Sequence, residues 1–251
     1  MSWVRTLEVT TVASCAVNCS YCPQSVLKDA YRGETELPFE DFRRVVGRLP
    51  EDVVVHFSGF VEPWLNAECT EMLKYALWKD LRVAVYTTLI GMRDPEIVAL
   101  ALTENRSRVD RICIHLPDAD FNMPLEPKHA AVDAFRDLPG VEWMAMGVSS
   151  VPAPRMNVWD PVDRAGNLTG KRLPLVRHKG PIRCSYTPTY EHNVMLPNGD
   201  VVLCCMDYAL KHPIGNLFTQ EWHELDRSVV AFDNRHNERT ICRRCVGAER
   251  A

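Results

Sequence analysis

An α/β fold is predicted for this chain: a partial parallel barrel followed by a small hairpin-plus-helix module rich in cysteine. Three observations predict it. Strand-like apolar runs alternate with helix-period stretches from residue 7 to residue 148, which is the pattern of βα units on a parallel sheet. The run Val53-Val-Val-His-Phe-Ser has no polar alternation, as expected of a strand covered on both faces. Every residue group with chemical potential falls at the C-terminal end of such a run, the edge where parallel sheets hold ligands. With 251 residues, 46% of them hydrophobic, the chain can bury one substantial core, or a core plus a small module.

The elements follow in order. Leu7 to Val12 is β-branched and reads as the first strand, ending at a cysteine loop. Pro38 to Gly47 reads as a helix with Phe39, Phe42, Val45 and Val46 on one face. After the strand at Val53 comes a helix from Glu68 to Trp78, with Asn66 placed to cap it. Arg82 to Thr88 and Arg111 to Leu116 are further strands, each followed by a helix, Pro95 to Leu102 and Lys128 to Leu138. Val141 to Val148 is the fifth strand; five are too few to close an eight-stranded barrel. Residues 149–182 hold five prolines and read as a loop or linker. Asn198-Gly199 then sits between two β-type runs, a hairpin signal, and Glu221 to Phe232 reads as a terminal helix.

Composition narrows the function. A net charge of -4 argues against a nucleic-acid partner. No stretch approaches the roughly 20 apolar residues of a membrane span, and no signal peptide is read, so the expectation is a cytoplasmic protein. Ten cysteines in such a chain are better explained by metal than by disulfides. Cys15, Cys19 and Cys22 stand at Cys-x3-Cys-x2-Cys spacing, so three thiolates can converge on one soft metal centre. A structural zinc site would want a fourth ligand nearby, and the next thirty residues offer neither Cys nor His. Three ligands and an open corner describe a reactive cluster better than a staple. A second set, Cys184, Cys204, Cys242 and Cys245, suits either a zinc ribbon or an iron–sulfur cluster.

The triplet, with the aromatic Tyr21 directly before its last cysteine, resembles the signature loop of the radical S-adenosylmethionine (SAM) enzymes, and further motifs extend the resemblance over nearly the whole chain. The resemblance implies a partial barrel of five to six βα units. It also implies a 4Fe–4S cluster on Cys15, Cys19 and Cys22, with SAM chelating the fourth iron. Gly59-Phe-Val-Glu62-Pro63 resembles the family's Gly-Gly-Glu-Pro stretch, with Val61 replacing the second glycine, and implies contacts to the methionyl ammonium. Thr87 and Thr88 stand where the family often has Thr-Asn-Gly; with Tyr21, His115 and Ser149 they are the remaining SAM-binding candidates. Their plain alternatives are strand-end residues and a core histidine, and His56 reads as structural.

The second cysteine set, with the words around Asn198-Gly199 and Pro213-Ile-Gly215-Asn216, resembles Twitch, a shortened SPASM module carrying one auxiliary 4Fe–4S cluster. The expected division is 1–155 for the barrel, 156–182 for a linker or substrate loop, and 183–251 for the auxiliary-cluster module. Within the loop, Asp163-Arg164-Ala-Gly166-Asn167 resembles an Arg-Gly element of Twitch enzymes that places the arginine at the substrate. Cys205 is either an inert buried thiol or a hydrogen-atom donor, and Asp207 either a supporting acceptor or a base.

Together these features most closely resemble the 2-deoxy-scyllo-inosamine dehydrogenase type. They imply a 5′-deoxyadenosyl radical that abstracts hydrogen, then two-electron oxidation of a cyclitol or sugar hydroxyl, with the electron passing to the auxiliary cluster. Implied partners are that small molecule and an external one-electron reductant such as flavodoxin or ferredoxin. Three alternatives remain at this stage: an epimerase using Cys205, a peptide-modifying SPASM maturase, and a non-catalytic iron–sulfur or zinc protein.

Overall fold

The computed structural model describes residues 4–120, 122–147, 156–159, 162–168, 176–236 and 239–251. Strands and helices alternate as β1 (Arg5–Val9), α1 (Gln24–Ala30), α2 (Phe39–Val46), β2 (Val53–Phe57), α3 (Cys69–Trp78), β3 (Val83–Thr87), α4 (Pro95–Glu104), β4 (Val109–His115), α5 (His129–Arg136) and β5 (Val141–Ala145). The C-terminal part adds β6 (Met156–Val158), β7 (Ile182–Cys184), β8 (His192–Met195), β9 (Asp200–Val202), β10 (Pro213–Asn216), α6 (Ser228–Arg235) and β11 (Ala248–Arg250). Neighbouring strands from β1 to β6 are all parallel, the α/β architecture expected.

Packing explains the uninterrupted apolar strands. Val53, Val54 and Val55 are fully buried because helices cover one face of the sheet while the other lines the interior. On α2, Phe42, Val45 and Val46 are buried and Phe39 packs at the edge of the core. Each such side chain contributes roughly 1.5–3 kcal/mol when fully removed from water.

The C-terminal part is not set apart from the sheet. The sheet order is β10-β9-β8-β1-β2-β3-β4-β5-β6, so β8 lies parallel to β1 and the Asn198-Gly199 hairpin continues the barrel wall. Val194 and Met195 of β8 are fully buried, which anchors that addition. A separate two-stranded ribbon pairs Cys184 on β7 with Ala248 on β11.

Several boundaries differ from the sequence expectations, each for a local reason. The first strand stops at Val9, because Thr11 and Ala13 turn to pair with Leu37 and Thr35, and Val12 bridges Glu36. The expected helix from Glu221 to Phe232 is two pieces, a 3-10 turn Trp222–Glu224 and α6. Glu221 and Glu224 close a reciprocal capping box on the first piece, Leu225 is extended, and Asp226 accepts from the Ser228 amide and hydroxyl. Helix α3 starts one residue later than expected, with Glu68 as N-cap; Asn66 Oδ1 accepts from the Glu68 amide (2.8 Å) just ahead of it, while Asn66 Nδ2 donates to the Thr11 and Leu37 carbonyls and ties the cysteine-loop approach to the sheet. Helix α1 and strands β6, β7, β10 and β11 are additions to the sequence reading.

Candidate active site

The cysteine loop leaves β1 and reaches α1 over one mouth of the barrel. Asn18 adopts a left-handed conformation (φ 56°), which asparagine tolerates better than most residues and which reverses the chain between Cys15 and Cys19. Gln24, buried at the start of α1, clamps this loop. Its Oε1 accepts from the Cys15 amide (3.4 Å), and its Nε2 donates to the Phe60 carbonyl and lies 3.4 Å from Cys22 Sγ. Tyr208, arriving from the C-terminal part, places its hydroxyl 3.5 Å from the same sulfur. Tyr21 stacks on His115 (ring centroids 5.1 Å apart) with its hydroxyl 3.1 Å from the imidazole nitrogens. His115 is therefore paired by a side chain, and burial lowers its pKa to about 4.

A cavity of about 380 Å³ opens beneath the loop, a volume suited to small molecules. Cys15, Cys19, Cys22, Tyr21, Gly59, Glu62, Thr87 and His115 all line it, as do Arg164 and Cys205. Glu62 is buried, and its carboxylate accepts from Thr87 Oγ1 (2.8 Å), the Thr88 amide (2.5 Å), Thr88 Oγ1 (2.7 Å) and the Trp64 amide (3.2 Å). Burial raises its pKa against those hydrogen bonds. Those four donors match the lone-pair capacity of the carboxylate, so backbone carbonyls of this turn are the better-placed acceptors for an ammonium. The Thr87 hydroxyl is likewise engaged, donating to Glu62 and accepting from Leu89 N. Gly59 (φ 73°) packs its α-carbon against Thr10, leaving no room for a side chain.

A second, smaller cavity is lined by Cys184, Cys204, Cys242 and Cys245. The ribbon carries Cys184, the turn after β9 carries Cys204, and a 3-10 turn brings Cys242 beside Cys245, whose amide donates to the Cys242 carbonyl (3.1 Å). Burial raises the thiol pKa of Cys245 to about 11 and, in the first cavity, that of Cys19 to about 12, so metal must displace protons to bind at either set. Among the described residues, no three of these sulfurs lie within 4.8 Å of one another. Four thiolates on one zinc, at Zn–S of about 2.3 Å, would sit only about 3.8 Å apart. Neither cysteine set is therefore drawn together as tightly as a single zinc would hold it.

Residues 184–246 match the SPASM family, an iron–sulfur cluster-binding domain. Among solved structures, BtrN in complex with AdoMet and 2-DOIA is 19% identical at a TM-score of 0.64, over 94% of this chain and 87% of that one. Streptococcus suis SuiB bound to precursor peptide SuiA is 12% identical at a TM-score of 0.63, covering 98% of this chain and 70% of that one. anSMEcpe with bound AdoMet is 14% identical at a TM-score of 0.56, over 96% and 83% respectively. The chain shares the α/β fold of these structures, and its residues 184–246 form a SPASM domain. A comparison with curated protein sequences finds no match.

The two cavities share a wall: His192 and Cys205 line both. Arg164, in a left-handed conformation (φ 49°) followed by Ala165 and Gly166 in the same region, turns into the first cavity. Its guanidinium has no carboxylate within 4.0 Å among the described residues; burial works against its charge, while Tyr208 and Cys205 favour it. Asp207 lies elsewhere. It lines neither cavity, and its buried carboxylate takes the amides of Lys211 (2.9 Å) and His212 (2.7 Å), so it shapes the turn after Cys204 and does not face the cavity as a base would. Ser149 lies outside the described residues.

The sequence reading missed Gln24, Tyr208 and Glu8. Gln24 lies two residues beyond Cys22, a proximity that could have flagged it. Glu8 carried a signal too, being a charged residue in a strand whose neighbours are apolar. Nothing in the sequence near Tyr208 points to a sulfur 186 positions away.

Proposed function

We propose that this protein is a radical SAM oxidoreductase that oxidises a hydroxyl group of a small polyol, cyclitol or sugar. In this reading Cys15, Cys19 and Cys22 hold a 4Fe–4S cluster that binds SAM, and Cys184, Cys204, Cys242 and Cys245 hold an auxiliary 4Fe–4S cluster. When bound, these groups supply a 5′-deoxyadenosyl radical that takes a hydrogen atom from the substrate and an acceptor for the electron released afterwards.

The chain's own residues do the rest. Gln24 fixes the cysteine loop against the Gly59–Glu62 turn, and Tyr208 donates toward Cys22 Sγ. Arg164 presents a fork of donors that can grip a substrate oxygen and orient one C–H bond. The observation that carries the reading is this guanidinium, without a carboxylate partner among the described residues, inside a cavity whose far wall, His192 and Cys205, adjoins the second cysteine set. A substrate gripped there is close to both centres.

Cys205 supports a second reading, radical epimerisation. Burial holds its thiol well above its ordinary pKa, so it keeps the hydrogen atom that such a reaction delivers. Anaerobic turnover of reconstituted protein with scyllo-inositol and aminocyclitols in deuterated water separates the two. Oxidation gives 5′-deoxyadenosine and a carbonyl product in equal amounts without solvent deuterium at carbon. Epimerisation gives deuterium at the inverted carbon, abolished by Cys205→Ala. Absence of 5′-deoxyadenosine from protein carrying about eight irons, with dithionite and SAM present, rules out both.

A further inference from the structure

Three polar side chains inside the barrel are absent from that scheme. Glu8 on β1, His56 on β2 and His192 on β8 come from adjacent strands in the order β8-β1-β2. Glu8 is directly in register with His56, while His192 lies two residues before Val194, the partner of Glu8. Because strand side chains alternate with period 2, all three project to the same face, the interior one. Their nearest ligand atoms lie within 4.8 Å of one another, and all three line the larger cavity. Ala84, in register with His56 on β3, keeps that side of the barrel open.

The carboxylate is held for an ion on one oxygen. Glu8 Oε2 accepts from Ser58 Oγ (3.1 Å) and the Gly59 amide (3.2 Å), leaving Oε1 to meet His192 Nε2 (2.8 Å). A hydrogen-bonded Glu8–His192 pair would explain two of the three groups. It leaves His56, whose ring nitrogens have no hydrogen-bond partner among the described residues and whose ring leans on Tyr86 (5.5 Å).

Protonation states agree with this geometry. Burial alone would raise the Glu8 pKa, but His192, His56 and Ser58 bring it down to about 2. Burial lowers that of His56 to about 4, leaving a neutral imidazole. Other charged or titratable groups facing the cluster are Arg111, neutralised by a two-pronged pair with Glu142 (3.0 and 2.5 Å), and Tyr86, Cys113, Arg164 and Cys205.

We propose that Glu8, His56 and His192 form a site for one divalent transition-metal ion, with an open coordination position toward the cavity that takes a substrate hydroxyl or carboxylate oxygen. Two imidazoles and a carboxylate suit zinc, iron(II) or manganese(II). Ligand bonds of about 2.1 Å put neighbouring donor atoms about 3.4 Å apart, so side-chain rotations of roughly an ångström complete the site. Binding replaces the proton shared by Glu8 and His192. The ion site itself does not depend on the proposed oxidation; only its role as a substrate anchor rests on that reading.

The test is made on full-length protein with both cysteine sets loaded with iron and sulfide. Dialysis against zinc chloride, then passage over chelating resin, precedes measurement of zinc, iron and sulfide. About one zinc per chain is expected with iron unchanged. His56→Gln and His192→Asn should each weaken zinc retention more than about tenfold, at unaltered iron content and circular dichroism. His56 has no hydrogen-bond partner among the described residues, so its replacement is the variant that keeps the test valid should His192→Asn fail to fold. Zinc anomalous scattering from a soaked crystal should peak between the three side chains. No retained zinc, retention unaffected by His56→Gln, or a peak at cysteine sulfur each overturns the site. Turnover is a separate measurement, so zinc binding without polyol oxidation would sink the proposed reaction and leave the site standing.

Discussion

Replacing Gln24 with alanine should release the cysteine loop from the barrel. The side chain is buried and satisfies two backbone groups at once, the Cys15 amide and the Phe60 carbonyl. A buried backbone group left without a partner costs about 1–3 kcal/mol, and two such groups sum to about 2–6. The Cys15 contact is long at 3.4 Å and belongs at the low end, so we expect about 3 kcal/mol. Two measurements read this out. Anaerobic denaturant unfolding of reconstituted Gln24→Ala should show the loss of stability, and iron analysis after gel filtration should show the N-terminal cluster depleted while the SPASM cluster stays. Gln24→Glu sharpens the test: it still accepts from Cys15 but sets a carboxylate against the Phe60 carbonyl and Cys22. Retention of that cluster should be worse in Gln24→Glu than in Gln24→Ala. A loss under about 0.5 kcal/mol with full iron in both variants would refute the clamp.

Other predictions follow from the same geometry. Under the proposed function, Arg164→Lys keeps the charge but loses the fork, and should lower kcat/KM for the proposed polyol substrate by at least about tenfold while iron content and SAM binding stay unchanged; an unaltered kcat/KM removes Arg164 from that role. Tyr208→Phe deletes a weak hydrogen bond to Cys22 Sγ and should lower the potential of the N-terminal cluster by about 20–40 mV, at 59 mV per 1.4 kcal/mol for one electron, read by redox titration with EPR; a shift upward contradicts the contact. His115, with a pKa near 4 in the fold against 6.5 in the unfolded chain, makes the unfolded state bind more protons between those values, so stability rises with pH there. Between pH 6.5 and 5 its share of the loss is about 1.6 kcal/mol, and His115→Asn should flatten a plot of unfolding free energy against pH by that amount. Phe42→Ala empties a fully buried site under α2 and should cost about 3–5 kcal/mol in denaturant unfolding.

Much of this fold was legible because burial on both faces writes itself into composition. Val53-Val-Val and the Phe39, Phe42, Val45 and Val46 stripe carry the helix–strand alternation with no help from tertiary context. That Cys15, Cys19 and Cys22 line one cavity was legible for a different reason, since three cysteines within eight residues converge locally; Cys184 and Cys204 reach Cys242 and Cys245 only through the tertiary fold. What stayed hidden depends on long-range pairing. Residues 192–195 look like half of an independent hairpin until β1 is seen to accept them as a neighbour. The Glu221 to Phe232 stretch has helical periodicity throughout, yet Asp226 is held by the Ile214 carbonyl and interrupts it. Asp207 had the composition of a base, but its fate was set by two amides four and five residues on. Glu8 and His192 are 184 positions apart, and strand order alone makes them neighbours.

The position of β8 bears on how chains of this fold can be recombined. With β8 on one flank and β2 on the other, β1 is an interior strand of the sheet. A chimera cut at residue 183 would carry β8 away with the transplanted module and strip β1 to a bare edge, the kind of surface that seeds intermolecular pairing. Donor modules would have to arrive with a strand whose buried face matches Leu7 and Val9, and whose inward positions suit Glu8. Shuffling at this joint is therefore governed by β-ladder compatibility as much as by cysteine spacing.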